Sequence, residues 1–339
     1  MGIIKSNLLL METSSEIIAA SPDVSAKDGG EQHWIWRVYA AGILLVLVGW
    51  VLVQPAPRPA TPAYINAGLI GVNASSTDYA LYNKVLAEVL PTAGIQTKIV
   101  LGDSIVQLVA NGVIDKDKFE ALYKDQGGLP AELKDVLTTP SNKPILLTKD
   151  NANFYVNLLW PLGLSNYMAA NEQSPINGKD LNGFASTGGW NIGKEENGGA
   201  YFNKFKIVPL TPEQEARVMV IANNTYRPCC DNSTFFQDCN HGSAALALVE
   251  LGVAQGLSDA DIYQTLLDFN SFWFPQNYVQ LGLYFKSIKH IDWKYVDPRL
   301  VLSKDYSSAT GNYKIQDEVA KIPNLVPSQS VYGGASCGT

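Results

Sequence analysis

The stretch RPCCDNSTFFQDCNHG carries the residues best suited to chemistry, Cys229, Cys230, Cys239 and His241. Three thiolates and one imidazole form a tetrahedral ligand set that suits zinc, and the sulfurs also bind copper(I). The spacing C-C-x8-C-x-H differs from the ligand spacings of the common zinc fingers. We therefore predict a zinc or copper site of another design, which either holds the loop together or handles the ion.

The elements around this stretch place one of its cysteines at the start of a helix. A helix predicted from Pro212 ends before Pro228, and an apolar helix is predicted from about Gly242. Cys239 then lies close to the N-terminus of the second helix, where exposed N–H groups and the helix dipole favour a thiolate. We therefore expect Cys239 to be the most reactive cysteine.

A second interpretation makes Cys239 a catalytic nucleophile with partners from the later segment KHIDWKYVDP. A cysteine at a helix start, followed in sequence by a histidine and an aspartate, resembles the transglutaminase-like cysteine enzymes. The resemblance implies that Cys239 attacks an acyl group and that His290 acts as the base. Asp297 or Asp292 would then orient the histidine. A thiol-redox enzyme using Cys239 with His290 or His241 is a related alternative.

A third interpretation is that the cysteines form structural disulfides. One of Cys229 or Cys230 would be joined to Cys239, and the other to Cys337 near the C-terminus. His241 would then be an ordinary polar residue at a helix start. In that case the chain would be a disulfide-stapled structural domain of an envelope assembly, with an envelope protein as its partner.

An apolar segment near the N-terminus predicts a membrane-spanning helix over residues 34–54. This segment, WIWRVYAAGILLVLVGWVLVQ, has no charged residue from Val38 to Val53. About twenty apolar residues are enough to cross a hydrocarbon core of about 30 Å. Trp34 and Trp50 lie near its ends, where aromatic rings favour the membrane interface. The polar segment before it is longer than the n-region of a signal peptide, so we interpret it as an uncleaved signal anchor.

Charged residues and cysteines predict the orientation of this single-pass anchor. Lys27 precedes it, Arg37 lies at its N-terminal end and Arg58 follows it, and positive residues favour the cytoplasmic side. All four cysteines follow the segment, as expected if that part of the chain meets an oxidising compartment. We therefore predict a membrane protein with a cytoplasmic N-terminus and an extracytoplasmic body.

Composition divides the rest of the chain into further parts. We predict a disordered cytoplasmic tail over residues 1–33 and a proline-rich linker over residues 55–63. A mainly helical extracytoplasmic domain is predicted over residues 64–322, followed by a flexible Gly/Ser tail over residues 323–339 that contains Cys337.

Helical patterns dominate the body, so we predict a mainly α fold. TPEQEAR begins with Thr211 as a helix cap, Pro212 at the first helical position and Gln214 three residues after the cap. SDADIYQ shows a similar start at Ser258. The exception is residues 171–210, which are rich in Gly and Asn and predict an irregular insertion with a small β-hairpin.

Composition and charge exclude some classes of function. Hydrophobic residues make up 46% of the 339 residues and charged residues only 17%, as in a chain that buries a substantial core. The formal net charge is −7, and no long run of basic residues is present. We therefore expect no nucleic acid partner, because binding to nucleic acid rests on clustered Lys and Arg.

Overall fold

The computed structural model of the protein describes residues 79–187 and 189–327. The predicted cytoplasmic tail, membrane-spanning helix and linker lie outside these residues, as does Cys337. Among the helices of the described residues, none combines the length and the apolar character needed to cross a membrane.

The described part of the chain is mainly helical, as predicted, with 55% helix and one two-stranded sheet. In chain order, the helices and strands are α1 (Ala80–Val89), β1 (Ile95–Gly102), α2 (Ser104–Ala110), α3 (Lys116–Tyr123), β2 (Ser141–Leu147), α4 (Ala152–Ser165), α5 (Leu181–Phe184), α6 (Pro212–Asn223), α7 (Asn240–Ala254), α8 (Asp259–Trp273), α9 (Pro275–Ser287), α10 (Pro298–Val301), α11 (Lys304–Ser307) and α12 (Ala309–Ala320). Short 3-10 helices span Lys124–Gln126, Ala131–Leu133, Ala169–Gln173, Gly198–Tyr201 and Trp293–Tyr295.

Helices α4 and α7 pack against each other and form the centre of the core. Helix α7 is buried from Asn240 to Val253, as expected for the apolar helix predicted from about Gly242. The two backbones approach closely at Gly163 of α4, where a Cβ atom would lie 2.0 Å from the carbonyl oxygen of Ser243. The crossing therefore requires glycine at this position, and it fixes where the first turn of α7 lies.

The sheet lies early in the chain, in a region for which the sequence analysis predicts no strand. Strands β1 and β2 are antiparallel, with Ile95 opposite Leu147 and Gly102 opposite Ser141. Val100 of β1 hydrogen-bonds through both its N–H and its C=O to the side chain of Gln255, just after α7. The sheet is thereby attached to the C-terminal end of the central helix.

The insertion over residues 171–210 is irregular, but the predicted hairpin is wrong. Apart from Gly188, its residues form loops, the short α5 and 3-10 turns, and the described ones contain no strand. The physical reason is the buried side chain of Asn166. Its Oδ1 accepts hydrogen bonds from the N–H groups of Ile207 and Val208, at 3.1 and 2.8 Å, and its Nδ2 donates to the Val208 carbonyl at 3.2 Å. A side chain thus satisfies backbone groups that a neighbouring strand would otherwise pair.

The helix starts largely follow the sequence. Thr211 and Gln214 form the predicted capping box, with bonds of 3.3 and 2.9 Å between each side chain and the other's backbone N–H. Ser258 caps α8 by accepting from the N–H of Asp261. Helix α7 begins at Asn240, slightly before the predicted position, and Cys239 is its N-cap residue. Cys239 therefore belongs both to the start of α7 and to the candidate site.

A buried carboxyl on α8 makes the stability of the fold depend on pH. Asp268 is 8% exposed, and burial raises its pKa to about 7, although Gln264 donates a hydrogen bond to it at 2.8 Å. In the unfolded chain an aspartate has a pKa of about 3.9. The folded state therefore holds this proton more tightly, so stability falls as pH rises from about 4 to about 7.

We expect Asp268→Asn to remove this part of the pH dependence. At about 1.4 kcal/mol per pH unit, the wild type should lose up to about 4 kcal/mol more than the variant across that window. Urea denaturation of both chains at a series of pH values measures the difference. Equal slopes for the two chains would show that Asp268 ionises normally in the folded protein. Buried Glu250, whose pKa burial also raises, is present in both chains and cancels in the comparison.

Candidate metal centre

Three cysteines predicted to bind metal come together in the structure. The sulfur atoms of Cys229, Cys230 and Cys239 all lie within 4.8 Å of one another. The Sγ atoms of Cys229 and Cys239 are 3.5 Å apart, well beyond the bonded distance of about 2.05 Å. The predicted structural disulfide from Cys229 or Cys230 to Cys239 is therefore not formed in the described part of the chain.

The loop that carries the cysteines is built around the buried side chain of Arg227. This guanidinium group is 0% exposed, and its N–H groups point at acceptors from one short segment. Its Nε donates to Cys239 Sγ at 3.2 Å. Its Nη1 donates to the carbonyls of Asn232 and Ser233, at 3.0 and 2.9 Å. Its Nη2 donates to the carbonyl of Phe236, at 3.1 Å, and to the carboxylate of Asp238. One rigid, planar group thereby fixes the path of the loop.

The charge of Arg227 matches the chemistry of the cysteines. Burial disfavours the charged guanidinium, but the negative charge available from Cys239, Cys229, Cys230 and Asp238 outweighs it and raises the pKa of Arg227. Interaction between opposite charges is reciprocal, so a cation fixed 3.2 Å from Cys239 Sγ favours the thiolate form of that residue. The loop thus supplies a permanent positive charge to a cluster of sulfurs.

The N-terminus of α7 provides a second group that stabilises Cys239. Its Sγ accepts a hydrogen bond from the backbone N–H of Gly242 at 3.3 Å, as an N-cap side chain does. Gly242 is required here because a Cβ atom would lie 2.5 Å from Nη2 of Arg227. The helix start and the guanidinium group therefore contact each other and the same sulfur.

Cys230 differs from Cys239 in its surroundings. Its Sγ donates towards the Asp238 carboxylate at 3.6 Å. A hydrogen bond with Cys229 lowers its pKa, but a hydrogen bond with Cys239 and burial act in the opposite direction, and the pKa of Cys230 rises to about 12. A metal ion that binds Cys230 as a thiolate must therefore displace its proton.

A second set of contacts attaches the loop to the start of α12. The carbonyl of Cys230 accepts from the N–H of Ala309 at 2.9 Å. The carboxylate of Asp231 accepts from the N–H and the hydroxyl of Thr310, at 2.8 and 2.7 Å. Just before the loop, Tyr226 donates its N–H to the carbonyl of Leu302 at 2.8 Å. Residues far apart in sequence thus hold the cysteine loop in place.

His241, the fourth predicted ligand, lies in the first turn of α7 but outside the group of three sulfurs. Its ring packs on Phe274 and Trp273, with centroid distances of 4.7 and 5.6 Å. Burial lowers its pKa to about 4, so the imidazole is neutral at neutral pH. Its Nδ1 is buried and makes no hydrogen bond to any described residue. The histidine is thus in the protonation state that a metal ligand needs, but its ring faces aromatic residues.

The two carboxylates of the alternative acyl-transfer site make local contacts in the structure, and the histidine is exposed. His290 is exposed and has a positive φ of 58°. Asp292 forms an ion pair with Lys286, and that hydrogen bond lowers the pKa of Asp292. Asp297 caps α10 by accepting from the N–H of Arg299 at 2.9 Å. Local contacts therefore account for both carboxylates.

Arg227 is the residue of the site that the sequence analysis missed. Most of its acceptors are backbone carbonyls, which leave no pattern of side chains in the sequence. The available signal was its position, directly before Pro228 and the paired cysteines.

Comparison of the chain with protein-family models, curated proteins and solved structures finds no match.

Proposed function

We propose that the protein binds a thiophilic metal ion, zinc or copper(I), through Cys229, Cys230 and Cys239. The spacing of the three sulfurs is the observation that carries this proposal. A tetrahedral zinc ion with Zn–S bonds of about 2.3 Å holds its sulfur ligands about 3.8 Å apart. The structure has sulfurs 3.5 Å apart at one edge and within 4.8 Å at the others, so only small side-chain movements would bring them to this geometry.

Charge favours zinc over copper(I) at this site. Three thiolates around a divalent ion leave one net negative charge, whereas a monovalent ion leaves two. One sulfur of the cluster is removed from water, since Cys239 is 3% exposed, and uncompensated charge is costly there. Arg227 also forms an ion pair with Asp238, but Asn232 shares in neutralising that carboxylate through a hydrogen bond of 2.6 Å. Part of the positive charge of Arg227 is therefore left to compensate one negative charge at the metal.

We assign the fourth coordination position to His241. Its Nδ1 is neutral, buried and unpaired among the described residues, so ligation would satisfy an atom that otherwise costs free energy. Binding requires the ring to turn away from Phe274 towards the sulfurs. Because this turn breaks aromatic contacts, His241 should contribute less to affinity than any of the cysteines.

The site is better suited to handling an ion than to holding the fold together. Structural zinc sites commonly supply the free energy that orders their loop. Here Arg227 and the contacts with α12 already fix the loop, so the ligands are preorganised. Cys229 and Cys230 are half-buried, so an ion can reach them from one side. We therefore favour a protein that receives and passes on the ion.

Metal analysis of the full-length chain, purified without oxygen, tests this proposal. We expect about one zinc per chain, and at least about a 100-fold lower affinity in each of Cys229→Ser, Cys230→Ser and Cys239→Ser. Even the loss of residues that only orient a ligand costs about 10- to 100-fold. Cys337→Ser is the matched control and should keep full affinity. A reduced wild type that binds neither zinc nor copper would overturn the proposal.

The second candidate is a cysteine-dependent enzyme, favoured by the two groups that stabilise a thiolate at Cys239. Its low exposure opposes attack on a large acyl substrate. Alkylation of metal-free protein separates the two candidates. Rapid modification of Cys239 by iodoacetamide, unaffected by zinc, would favour the enzyme, whereas protection of the half-buried Cys229 by zinc favours the metal site.

We also propose that the site works outside the cytoplasm, on a chain anchored by residues 34–54. Its support is the apolar sequence of that segment, together with Lys27 and Arg37 towards its N-terminal end against Arg58 after it. A membrane-impermeant maleimide applied to intact cells tests this orientation. Labelling of Cys337 supports it, and labelling only after lysis contradicts it.

A further inference from the structure

We infer that Cys229 and Cys239 are a redox-active pair, which a small-molecule disulfide oxidises to a bond that releases the metal. The release step rests on the proposed function. The pairing itself rests on the positions of the sulfur atoms in the reduced protein.

The geometry selects this pair over the other two combinations. The Sγ atoms of Cys229 and Cys239 are 3.5 Å apart and must approach by about 1.5 Å to bond. These residues are ten positions apart, so a bridge closes an ordinary loop. Cys229 and Cys230 are adjacent in sequence, where a bridge strains the backbone. The sulfur of Cys230 is also held at the edge of the cluster by Asp238 and by the carbonyl of Asn232, at 3.6 and 3.9 Å.

Exposure assigns a different role to each cysteine of the pair. Cys229 is half-buried and can be reached by a small reagent, whereas Cys239 is 3% exposed and cannot be reached directly. Cys239 Sγ lies 3.5 Å from the sulfur of Cys229, so it is placed to attack a mixed disulfide formed there. Cys229 is therefore the cysteine that meets the oxidant, and Cys239 is the one that resolves the intermediate.

The reaction is two successive thiol–disulfide exchanges. The Cys229 thiolate attacks one sulfur of the small disulfide, whose S–S bond breaks and releases one thiolate. A mixed disulfide remains on Cys229. Cys239 then attacks the sulfur of Cys229, the Cys229–Cys239 bond forms, and the second small thiolate leaves. The pair loses two electrons, the small disulfide gains two, and the released thiolates take protons from water.

Oxidation would remove two of the three sulfur ligands together. Cys230 and His241 would remain, and two protein ligands do not form the closed four-ligand set of a stable zinc site. Metal occupancy would therefore depend on the ratio of small thiol to small disulfide around the protein. A reducing environment would load the site, and an oxidising one would unload it.

The test uses full-length protein carrying Cys337→Ser, purified reduced, loaded with zinc and treated with oxidised glutathione. Released zinc is measured with a chromogenic chelator. The disulfide is mapped by mass spectrometry after cleavage before Asp231 and Asp238, which places Cys239 on a different peptide from Cys229 and Cys230. We expect loss of the one bound zinc, a linkage to Cys239 and full reloading after dithiothreitol. The linkage should persist in Cys230→Ser and disappear in Cys229→Ser.

The possible results separate this inference from the proposed function. Persistence of the linkage in Cys229→Ser, or mixed disulfides with glutathione alone, would refute the redox pair while leaving the metal site intact. Zinc retained in a chain whose Cys229–Cys239 bond has formed would also refute the inference. A reduced chain that binds no metal but forms the bond would overturn the proposed function and leave the pairing supported.

Discussion

Replacing Arg227 with Met is expected to lower the free energy of unfolding by about 3–5 kcal/mol, as the loss of one partner of a buried ion pair does. The variant leaves the Asp238 carboxylate without its cation, although Asn232 still donates to it, and removes one donor from each of the carbonyls of Asn232, Ser233 and Phe236. The uncompensated charge is the larger cost, since a single lost hydrogen bond contributes only about 1 kcal/mol. Urea denaturation of the full-length chain in detergent, with chelator present, measures the loss independently of metal.

Arg227→Lys is the matched control, because it keeps the charge and removes the planar fork. A lysine ammonium can satisfy some of these acceptors but cannot reach them in the same arrangement. We therefore expect an intermediate stability and a weaker zinc affinity than in the wild type. If Arg227→Met unfolds at the wild-type urea concentration, the guanidinium group does not hold the loop, and the preorganised site proposed above fails with it.

Replacing Gly163 with Ala is expected to destabilise the protein by at least about 3 kcal/mol, at the upper end of the cost of overpacking a core. The new Cβ would lie 2.0 Å from the carbonyl oxygen of Ser243 and 3.1 Å from the N–H nitrogen of Ala247. Both atoms belong to the backbone of α7, so no side-chain rotation relieves the clash. Helices α4 and α7 would have to separate, and thermal denaturation of the full-length chain measures the result.

Gly183→Ala provides the control for Gly163→Ala. Gly183 lies in the short helix α5, where a Cβ would meet no atom within 4 Å. Alanine is favoured over glycine in a helix by about 1 kcal/mol, so this variant should be as stable as the wild type or slightly more so. Equal destabilisation by the two changes would show that loss of backbone freedom, and not the helix crossing, explains the effect.

The sequence was informative wherever local patterns decide the structure. The capping box of Thr211 and Gln214 and the burial of α7 follow from residues a few positions apart. Strand β1 was missed although its pattern is visible, since buried Thr97, Ile99 and Leu101 alternate with more exposed neighbours. The hairpin predicted near residue 205 fails for a different reason. It is replaced by hydrogen bonds from Asn166, a partner that lies about forty positions away.

The same distinction applies to the candidate site. The grouping of Cys229, Cys230 and Cys239 was predicted because the three residues share one loop. The direction of the His241 ring was not, because it depends on Trp273 and Phe274 of another part of the chain. The role of Arg227 was also hidden, since most of its partners are backbone carbonyls. Side-chain chemistry could thus be read from the sequence, whereas the arrangement around it came from tertiary packing.

The attachment of the cysteine loop to the start of α12 has a consequence for protein synthesis. Cys230 accepts a hydrogen bond from Ala309, and Asp231 accepts hydrogen bonds from Thr310, which lies 79 positions later in the chain. Chains are made from the N-terminus, so all three cysteines of the loop leave the ribosome well before these partners do. Until then the thiols belong to an incomplete loop, exposed to metals and oxidants of the compartment in which the chain emerges. The candidate metal centre is therefore completed only after residues 309 and 310 have been made.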